Sequence, residues 1–337
     1  MFRRLPVYLL LDVSESMIGQ PLASLEEGVR LMVRSLMRNP YALETLYLGV
    51  ITFARKAETA VPLTELASFS PPALSARPGT ALGAALRLCR DSISREVVTT
   101  TPERKGDFKP LVFVMTDGEP TDEWRDAADA LRNTSPRPAV VSVGCGDEAD
   151  FDVLRELSGG DAVNVKDLTA ESMQTLFSWV SASLEVSSKA VGAGADPGVS
   201  LDKVPQGKGI SLVKKDDPAP PKARARLFFH VNCIDTGKKY LTVYLATGND
   251  KEYAPSEAHP LPDDFYRDGE APAGTAAGVS LKGCSKCPFC GAGRLFFCKN
   301  CKKVYCWNGS SNFYCPGCNR NYEVVVLSVF DINRSLG

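Results

Sequence analysis

Histidine is almost absent from this chain of 337 residues, which contains two copies. The charges nearly cancel, because 39 Lys and Arg stand against 40 Asp and Glu, for a formal net charge of −1. This balance argues against broad electrostatic binding to nucleic acid or to an anionic membrane surface. Long apolar runs are lacking as well, since no stretch approaches the ~20 residues that a membrane span needs.

The apolar run near the N-terminus does not fit a signal peptide. It is interrupted by Pro6 and ended by Asp12, and no small-residue cleavage site follows. We therefore interpret "VYLLLDV" (7–13) as a strand buried on both faces and expect a cytoplasmic protein.

Residues 1–189 alternate between strand and helix patterns. Apolar runs occur at 7–13, 46–54, 110–118 and 139–146, with a short strand at 162–165 and an edge strand at 58–66 that contains Pro62. Helical periodicity occurs at 22–36, 82–93, 123–132, 150–157 and 171–185. This alternation predicts an α/β domain built on a doubly wound, mostly parallel sheet.

The pattern stops near Ala190. Residues 190–280 are rich in Gly, Pro and charge, which is typical of a linker. Within them, "RLFFHVNCI" (226–234) and "KYLTVYLA" (240–247) flank the turn "DTGKK" and form a candidate β-hairpin. Residues 281–337 form a third, cysteine-rich segment that ends in a predicted strand at 322–330. We find no internal repeats.

Eight of the eleven cysteines lie within 35 residues near the C-terminal end. In a cytosolic protein this clustering indicates metal ligands and not disulfides. The C-x-x-C turns "CPFCG" and "CPGCN" are typical of a zinc ribbon. The predicted zinc ligands are Cys284, Cys287, Cys290, Cys298, Cys301, Cys306, Cys315 and Cys318. Cys284 is the least secure of them, because it lies outside the CPFCG turn.

Eight thiolates suffice for two four-sulfur zinc sites. The alternatives are one zinc site with the remaining cysteines buried, or an iron–sulfur cluster, although the spacings differ from those of ferredoxins. His230 and Cys233 form an H-x-x-C pair that we interpret as two residues of a strand. Glu257 and His259 lack a partner spacing and receive no role.

Polar side chains cluster where buried strands of the predicted sheet end. Asp12, Ser14 and Ser16 follow the first strand, and Asp117 follows another strand within "TDG" (116–118). Thr80 lies in the loop "PGT" before a helix. Because ligands of open α/β sheets bind beyond the carboxyl ends of the strands, these side chains are expected to converge. Their hard oxygen donors suit Mg²⁺ or Mn²⁺, although helix capping and turn formation are the simpler explanation for "DVSES" alone.

Together, these five residues resemble the metal-ion-dependent adhesion site of von Willebrand factor A domains. Asp12, Ser14 and Ser16 match its D-x-S-x-S motif, Thr80 its threonine and Asp117 its last aspartate, and the resemblance covers residues 5–189. The resemblance implies that the two serines and the threonine bind the ion directly, with the aspartate often acting through water. It also implies that a carboxylate from a partner completes the shell, so that the site binds and does not catalyse.

An A domain followed by a linker and a cysteine-rich segment resembles the tellurium-resistance TerY family, in which a TerY-C zinc-binding domain follows the A domain. The resemblance implies a bacterial protein that works beside a Ser/Thr kinase and a metal-dependent phosphatase in the response to tellurite or chemical stress. The expected function is that of a non-enzymatic adaptor, with no nucleic acid and no membrane among its partners.

Two other functions remain open at the level of sequence. A metal-dependent hydrolase would need a general base, and near the five oxygen donors the chain offers Glu15 and Glu119 as spare carboxylates. A nucleic-acid-binding zinc ribbon would need a basic stripe with stacked aromatic rings, and "KNCKK" and "NRNYE" supply little of either.

Overall fold

The structure is a computed structural model that describes residues 3–103, 105–117, 120–146, 149–192, 199–218, 220, 226–248, 252–266, 276–323 and 329–332. The chain divides into two compact units. The first comprises residues 1–76 and 80–222, and the second comprises residues 77–79 and 223–337. Within the described ranges, no helix combines the length and the hydropathy needed to cross a bilayer.

The first unit is a seven-stranded sheet flanked by helices. Its elements are β1 (Leu5–Asp12), α1 (Gln20–Leu36), α2 (Pro40–Thr45), β2 (Leu46–Phe53), β3 (Ala57–Glu65), α3 (Leu82–Glu96), β4 (Leu111–Thr116), α4 (Arg125–Arg132), β5 (Ala139–Cys145), α5 (Phe151–Ser158), β6 (Ala162–Val165), α6 (Ala170–Gly192) and β7 (Ile210–Val213). The strand order is β3-β2-β1-β4-β5-β6-β7. The five central strands are parallel, and the two edge strands β3 and β7 pair antiparallel.

Alternation along β1 explains why the strand is apolar throughout. Leu9 and Leu11 point into a core layer shared with α1 and α6, whereas Tyr8 and Leu10 point into a layer shared with α3 and α4. Every residue of β1 is buried, because helices cover both faces of the sheet. The predicted doubly wound α/β fold is confirmed, with 58–66 at the edge of the sheet as expected.

The close approach of α1 to α6 depends on one glycine. A Cβ atom added at Gly28 would lie 2.2 Å from Cδ2 of Phe177, so no larger residue fits without movement of the ring. Two local signals fix the ends of α5. The Asp150 carboxylate accepts hydrogen bonds from the first backbone N–H groups, and Gly159 ends the helix at a φ of 73°.

The second unit is built from strands. They are β8 (Arg226–Asn232), β9 (Lys239–Ala246), β10 (Glu252–Pro260), β11 (Ala276–Leu281), β12 (Arg294–Phe297), β13 (Val304–Trp307), β14 (Asn312–Cys315), β15 (Arg320–Glu323) and β16 (Val329–Ile332). One sheet has the order β12-β13-β8-β9-β10-β11-β16, and β14 pairs with β15 in a separate hairpin. A core of aromatic, aliphatic and cysteine side chains lies on one face of the larger sheet.

The structure differs from the division expected for residues 190–280. The expected hairpin is present, because β8 and β9 pair antiparallel. However, β7 belongs to the first sheet, and β8 pairs with β13 beside the cysteine-rich strands. Much of the expected linker is therefore part of the two sheets. The strand expected at 322–330 corresponds to the end of β15 and the start of β16, and residues 324–328 lie outside the described ranges.

Candidate metal centres

The first candidate centre, which we call the oxygen site, lies at the carboxyl edge of the first sheet. Asp12 ends β1, and Asp117 directly follows β4. The two strands are neighbouring and parallel, with Leu11 opposite Met115. Their ends therefore bring the two carboxylates together, and both are buried, at 0% and 3% exposure.

Hydrogen bonds connect four of the predicted residues. The backbone N–H of Ser14 donates to Asp12 Oδ1 over 2.9 Å. The hydroxyls of Ser14 and Ser16 lie 2.8 Å apart, and Ser16 Oγ donates to Asp117 Oδ1 over 2.7 Å. A short turn of 3-10 helix at 15–17 folds the chain back so that both serines face this edge.

Thr80 reaches the same edge through its backbone. Its N–H donates to Thr121 Oγ1 over 3.1 Å, and its carbonyl accepts from the Thr121 N–H over 2.9 Å. The next residue, Ala81, donates to the carbonyl of Ala54 after β2. These contacts hold Thr80 between the loops that follow β2 and β4.

The Thr80 hydroxyl lacks a partner. The residue is 0% exposed, and Oγ1 has no hydrogen-bond partner in the described part of the chain. A buried hydroxyl in this state costs roughly 1–3 kcal/mol. An orphaned oxygen on a residue held at the same edge of the sheet as two carboxylates and two serines fits a site for a hard cation.

Electrostatics support the same interpretation. Burial, followed by the negative charge of Asp117, raises the pKa of Asp12 to about 7. Two carboxylates without a nearby cation repel each other in a buried site. A divalent cation would remove this repulsion, so the donor set fits a bound metal ion.

Sequence reasoning missed three residues that position the oxygen site. Thr116 Oγ1 donates to Asp12 Oδ2 over 2.5 Å. Thr121 holds the Thr80 backbone, as described above. Asp122 accepts from the N–H groups of residues 83 and 84 over 2.8 Å each, which caps the start of α3. The run "TDGEPTDE" (116–123) contains all three, but it gives no sign of which backbone groups they reach.

Of the two spare carboxylates near the oxygen site, the structure describes Glu15 and not Glu119. Glu15 is buried, at 1% exposure, in the turn between the two serines. Gly118 and Glu119 lie outside the described residues.

The second unit contains two candidate centres made of thiols. The first thiol group consists of Cys233, Cys287, Cys290 and Cys306, and the second consists of Cys298, Cys301, Cys315 and Cys318. Within each group all four Sγ atoms lie within 4.8 Å of one another. The structure therefore brings together seven of the eight predicted cysteines and adds Cys233.

Cys284 lies outside both groups. It is half-buried, and its thiol contacts the carbonyl of Gly293. The position expected for it is taken by Cys233, which follows β8 and is 1% exposed. The H-x-x-C pair thus contributes its cysteine and not its histidine. His230 lies in β8 with its ring against Phe265 and Tyr266.

Four turns with the same geometry present the thiols. In each turn, the N–H of the residue four positions after a cysteine donates to the carbonyl of that cysteine, over 2.7–2.9 Å. The donors have positive φ angles of 70°, 75°, 59° and 55° and are Gly237, Gly291, Lys302 and Asn319. The turn at Cys233 has Thr236 where the other three have a second cysteine. The motif C-x-x-T-G is therefore the signal for Cys233, although the same residues also fit the expected hairpin turn.

The sulfur spacings fit tetrahedral coordination. The Sγ atoms of Cys290 and Cys306 lie 3.5 Å apart. In the second group, two pairs of Sγ atoms lie 3.6 Å apart. Zinc–sulfur bonds of about 2.3 Å in a tetrahedron place the sulfurs roughly 3.8 Å apart, whereas a disulfide needs about 2.05 Å.

Neighbouring groups lower the pKa of one thiol in each group, whereas burial raises the pKa of Cys290, Cys306 and Cys315. Burial tends to raise the pKa of Cys298, but hydrogen bonds from the Cys301 backbone and the Tyr322 hydroxyl outweigh it and lower the pKa to about 6. Burial likewise opposes ionisation of Cys233, and hydrogen bonds from Thr236 lower its pKa to about 7. Thiolates are the form that binds metal.

Comparison with known families agrees with this geometry. The model of the von Willebrand factor type A domain matches residues 7–179, slightly more than half of the chain. The chain belongs to the von Willebrand factor type A domain family. The model of the TerY-C metal-binding domain matches residues 231–337, which include both thiol groups. This A-domain protein thus carries the second domain that the sequence led us to expect. Among curated proteins, no match is found.

Several solved structures are similar to part of this A-domain protein. Proximal thread matrix protein 1 from the mussel byssus, solved with a zinc-occupied MIDAS motif, is 18% identical over 54% of this chain and 48% of its own, with a TM-score of 0.41. This chain therefore spans about half the length of the mussel protein. BatB from Bacteroides thetaiotaomicron is 23% identical over 54% of this chain and 98% of its own, with a TM-score of 0.36. The PilB minor pilin from Streptococcus sanguinis is 11% identical over 55% of this chain and 62% of its own, with a TM-score of 0.41.

Proposed function

We propose that this protein is a non-enzymatic adaptor that binds one protein through a cation at the oxygen site and a second protein through its zinc-stabilised second unit. The observation that carries the proposal is the division of the chain into two units, each with its own buried core, with the oxygen site in the first unit and both thiol groups in the second. The two units differ in the chemistry of their metal ligands, because the first offers hard oxygens and the second offers thiols.

The oxygen site would hold Mg²⁺ or Mn²⁺. Its ligands would be Asp12, Ser14, Ser16, Thr80 and Asp117, directly or through water. These ions favour six oxygen ligands, and five donors leave room for one from outside. A carboxylate of a partner is the ligand that suits this position best, since it adds charge balance to the cation.

The thiol groups would hold one Zn²⁺ each. All eight ligands are sulfurs, within distances that suit a closed tetrahedral structural site. Such a site supplies folding energy and no open position for chemistry. Thiol ligands stay reduced in the cytoplasm, where we place the protein.

The positions of the two histidines favour a binding role for the oxygen site over a catalytic one. Both histidines, His230 and His259, lie in the second unit. His259 pairs with Glu257 over 2.6 Å, and both are remote in sequence from the oxygen site. The oxygen site offers carboxylate and hydroxyl oxygens, which can hold a cation that also binds a partner's carboxylate.

The partners follow from the resemblance to the TerY family. We propose a Ser/Thr kinase and a metal-dependent Ser/Thr phosphatase, acting in a bacterial response to tellurite or chemical stress. The kinase is assigned to the second unit, which leaves the phosphatase for the oxygen site.

Co-purification with these two candidate partners tests the proposal. Asp12→Ala is expected to release the partner held through the cation and to retain the other. Replacing Cys315 and Cys318 with Ser is expected to have the reverse effect, because it removes half of the second thiol group. A single partner that needs both surfaces would contradict the two-ended arrangement. Phosphoester turnover that disappears in Asp12→Ala would favour a hydrolase instead.

A further inference from the structure

Charge is segregated along the chain although the net charge is near zero. Between Glu270 and Glu323 the sequence contains seven Lys or Arg residues and neither Asp nor Glu. Because the whole chain has 39 cationic and 40 acidic side chains, the rest of it carries an excess of eight acidic side chains. The cysteine-rich end of the second unit is therefore a positively charged region of an otherwise acidic protein.

Four of these cations surround the second thiol group. We call them the cationic surface, which consists of Lys299, Lys302, Lys303 and Arg320. All four are exposed. Three belong to the turn at 298–303, and Arg320 begins β15 directly after the turn at 315–319. A Cβ atom added at Gly317 would lie 3.3 Å from Cδ of Lys303, so this lysine lies against the other turn.

The members of the cationic surface are available for a partner. Within the described ranges, none of the four forms an ion pair, whereas Lys282 pairs with Glu252 over 2.7 Å. A Zn²⁺ with four thiolates carries a formal charge of about −2, which the four cations exceed. The surface therefore stays positive when the metal is bound.

An exposed aromatic ring lies beside these cations. Tyr314 on β14 is 54% exposed, and its hydroxyl donates to Asn319 Oδ1 over 3.2 Å. Tyrosine and arginine are enriched at the centres of protein interfaces. A basic groove for single-stranded nucleic acid would present several exposed rings for base stacking, and of the described large apolar side chains in this unit Tyr314 is the one that is exposed.

We propose that the cationic surface docks an acidic segment of a protein partner, with an apolar side chain of that segment placed on Tyr314. The inference rests on the proposed adaptor function, for which it defines the chemistry of the partner of the second unit. Complementary charge steers the encounter, and the tyrosine ring adds buried apolar area.

Fluorescence anisotropy with two labelled peptides tests the inference. The probes are a decamer of glutamate and the same decamer with two central leucines, titrated with the zinc-loaded full-length chain in buffer without added Mg²⁺. The surface variant combines Lys299→Gln, Lys302→Asn, Lys303→Gln and Arg320→Gln. Asparagine is chosen at 302 because it tolerates the positive φ of 59°. The control variant removes the same charge from the first unit through Lys56→Gln, Lys109→Gln, Lys166→Gln and Lys203→Gln, all at exposed positions.

The surface variant is expected to bind both probes about tenfold more weakly, the sum of four modest contacts, and the control variant is expected to change affinity less than twofold. Tyr314→Ala is expected to weaken binding of the leucine-containing probe and to leave the other unchanged. Zinc content must be equal in all variants. Equal losses in the surface and control variants would overturn the inference, as would tighter binding of a ten-nucleotide single strand than of either peptide.

One further variant separates this inference from the adaptor proposal. If Asp12→Ala abolishes probe binding while the surface variant retains it, the peptide binds at the oxygen site. That result would overturn the cationic surface and leave the adaptor function in place. If the surface binds the probe but neither candidate partner depends on either surface in co-purification, the inference stands and the adaptor function fails.

Discussion

Asp12 and Thr80 are both unfavourably buried in the oxygen site, the first because of its charge and the second because its hydroxyl is unpaired. Asp12 is a buried carboxylate whose charge is destabilised by burial and by Asp117, and Thr80 is a buried hydroxyl without a partner. Both states cost free energy in the folded chain without metal. Each would be relieved by a cation, so each leads to a measurable prediction.

Thr80→Val is expected to leave the free energy of unfolding of the metal-free protein unchanged or to raise it by about 1 kcal/mol, because it removes an unpaired buried hydroxyl. The affinity for Mg²⁺ is expected to fall at least about tenfold, since a ligand is lost. Thr45→Val is the matched control. Thr45 is equally buried, but its hydroxyl donates to the Tyr41 carbonyl over 2.6 Å. The control is expected to lose roughly 1 kcal/mol of stability and to bind Mg²⁺ normally. Urea unfolding and calorimetry measure both quantities, and unchanged Mg²⁺ affinity in Thr80→Val would remove this residue from the site.

The raised pKa of Asp12 predicts how Mg²⁺ binding depends on pH. The metal-free site holds a proton on Asp12 below a pKa of about 7, and metal binding displaces it. Mg²⁺ affinity is therefore expected to fall by about tenfold for each pH unit below 7 and to level off above it. Because the folded state keeps this proton at pH values where the unfolded chain releases it, Asp12 contributes less to stability as the pH rises from about 4 to 7. Calorimetry between pH 5.5 and 8 checks the first trend. Asp12→Asn is expected to lose Mg²⁺ binding and to abolish the second trend while the domain stays folded, and a pH-independent affinity in the natural chain would contradict the assignment.

The two thiol groups interlock along the chain. The hairpin of β12 and β13 carries the turn of the second group between its strands, while Cys306 on β13 belongs to the first group. Cys233 reaches the first group from the end of β8, which pairs parallel with β13. The position of Cys233 thus depends on pairing between strands that are more than 70 residues apart in sequence.

Zinc content distinguishes the observed thiol groups from the ligands expected from sequence. Cys233→Ser is expected to reduce bound zinc from two ions to one and to destabilise the second unit, because three thiolates and a hydroxyl hold zinc poorly. Cys284→Ser is the matched control and is expected to retain two ions. Native mass spectrometry gives both counts. Loss of an ion in Cys284→Ser together with two ions in Cys233→Ser would restore the assignment expected from sequence.

The proximity of Asp12, Ser14, Ser16 and Asp117 could be predicted from sequence because its signals are local. The motif at 12–16 and the aspartate after β4 each follow a strand whose apolar run is unmistakable, and parallel strands bring their ends together by rule. Cys233 could not be predicted as a metal ligand. Its partner cysteines lie more than 50 residues away, and the hairpin pattern already accounts for the residues around it. β7 was missed because four residues after Gly- and Pro-rich sequence give too short a pattern.

The two units are expected to depend on metal in different ways. The first unit has a large apolar core on both faces of its sheet, whereas the second unit packs cysteines into its core. Structural zinc contributes roughly 10–16 kcal/mol in small domains, which exceeds what a small core supplies.

Removal of zinc is therefore expected to unfold the second unit and to spare the first. Limited proteolysis after chelation should leave a protected fragment that corresponds to the first unit, while the zinc-loaded protein should resist cleavage in both. Readdition of zinc should restore protection. A chain that stays fully protected without zinc, or one in which both units become sensitive together, would show that the stability of the units is not divided in this way.

If this chain connects two proteins through two surfaces, both candidate partners should bind it at the same time. Native mass spectrometry of the zinc-loaded chain with Mg²⁺ and both candidate partners, the kinase and the phosphatase, measures this. We expect a complex of one copy of each protein, from which Asp12→Ala removes one partner and the Cys315→Ser, Cys318→Ser variant removes the other. Partners that displace each other, so that only two-component complexes form with the natural chain, would contradict it.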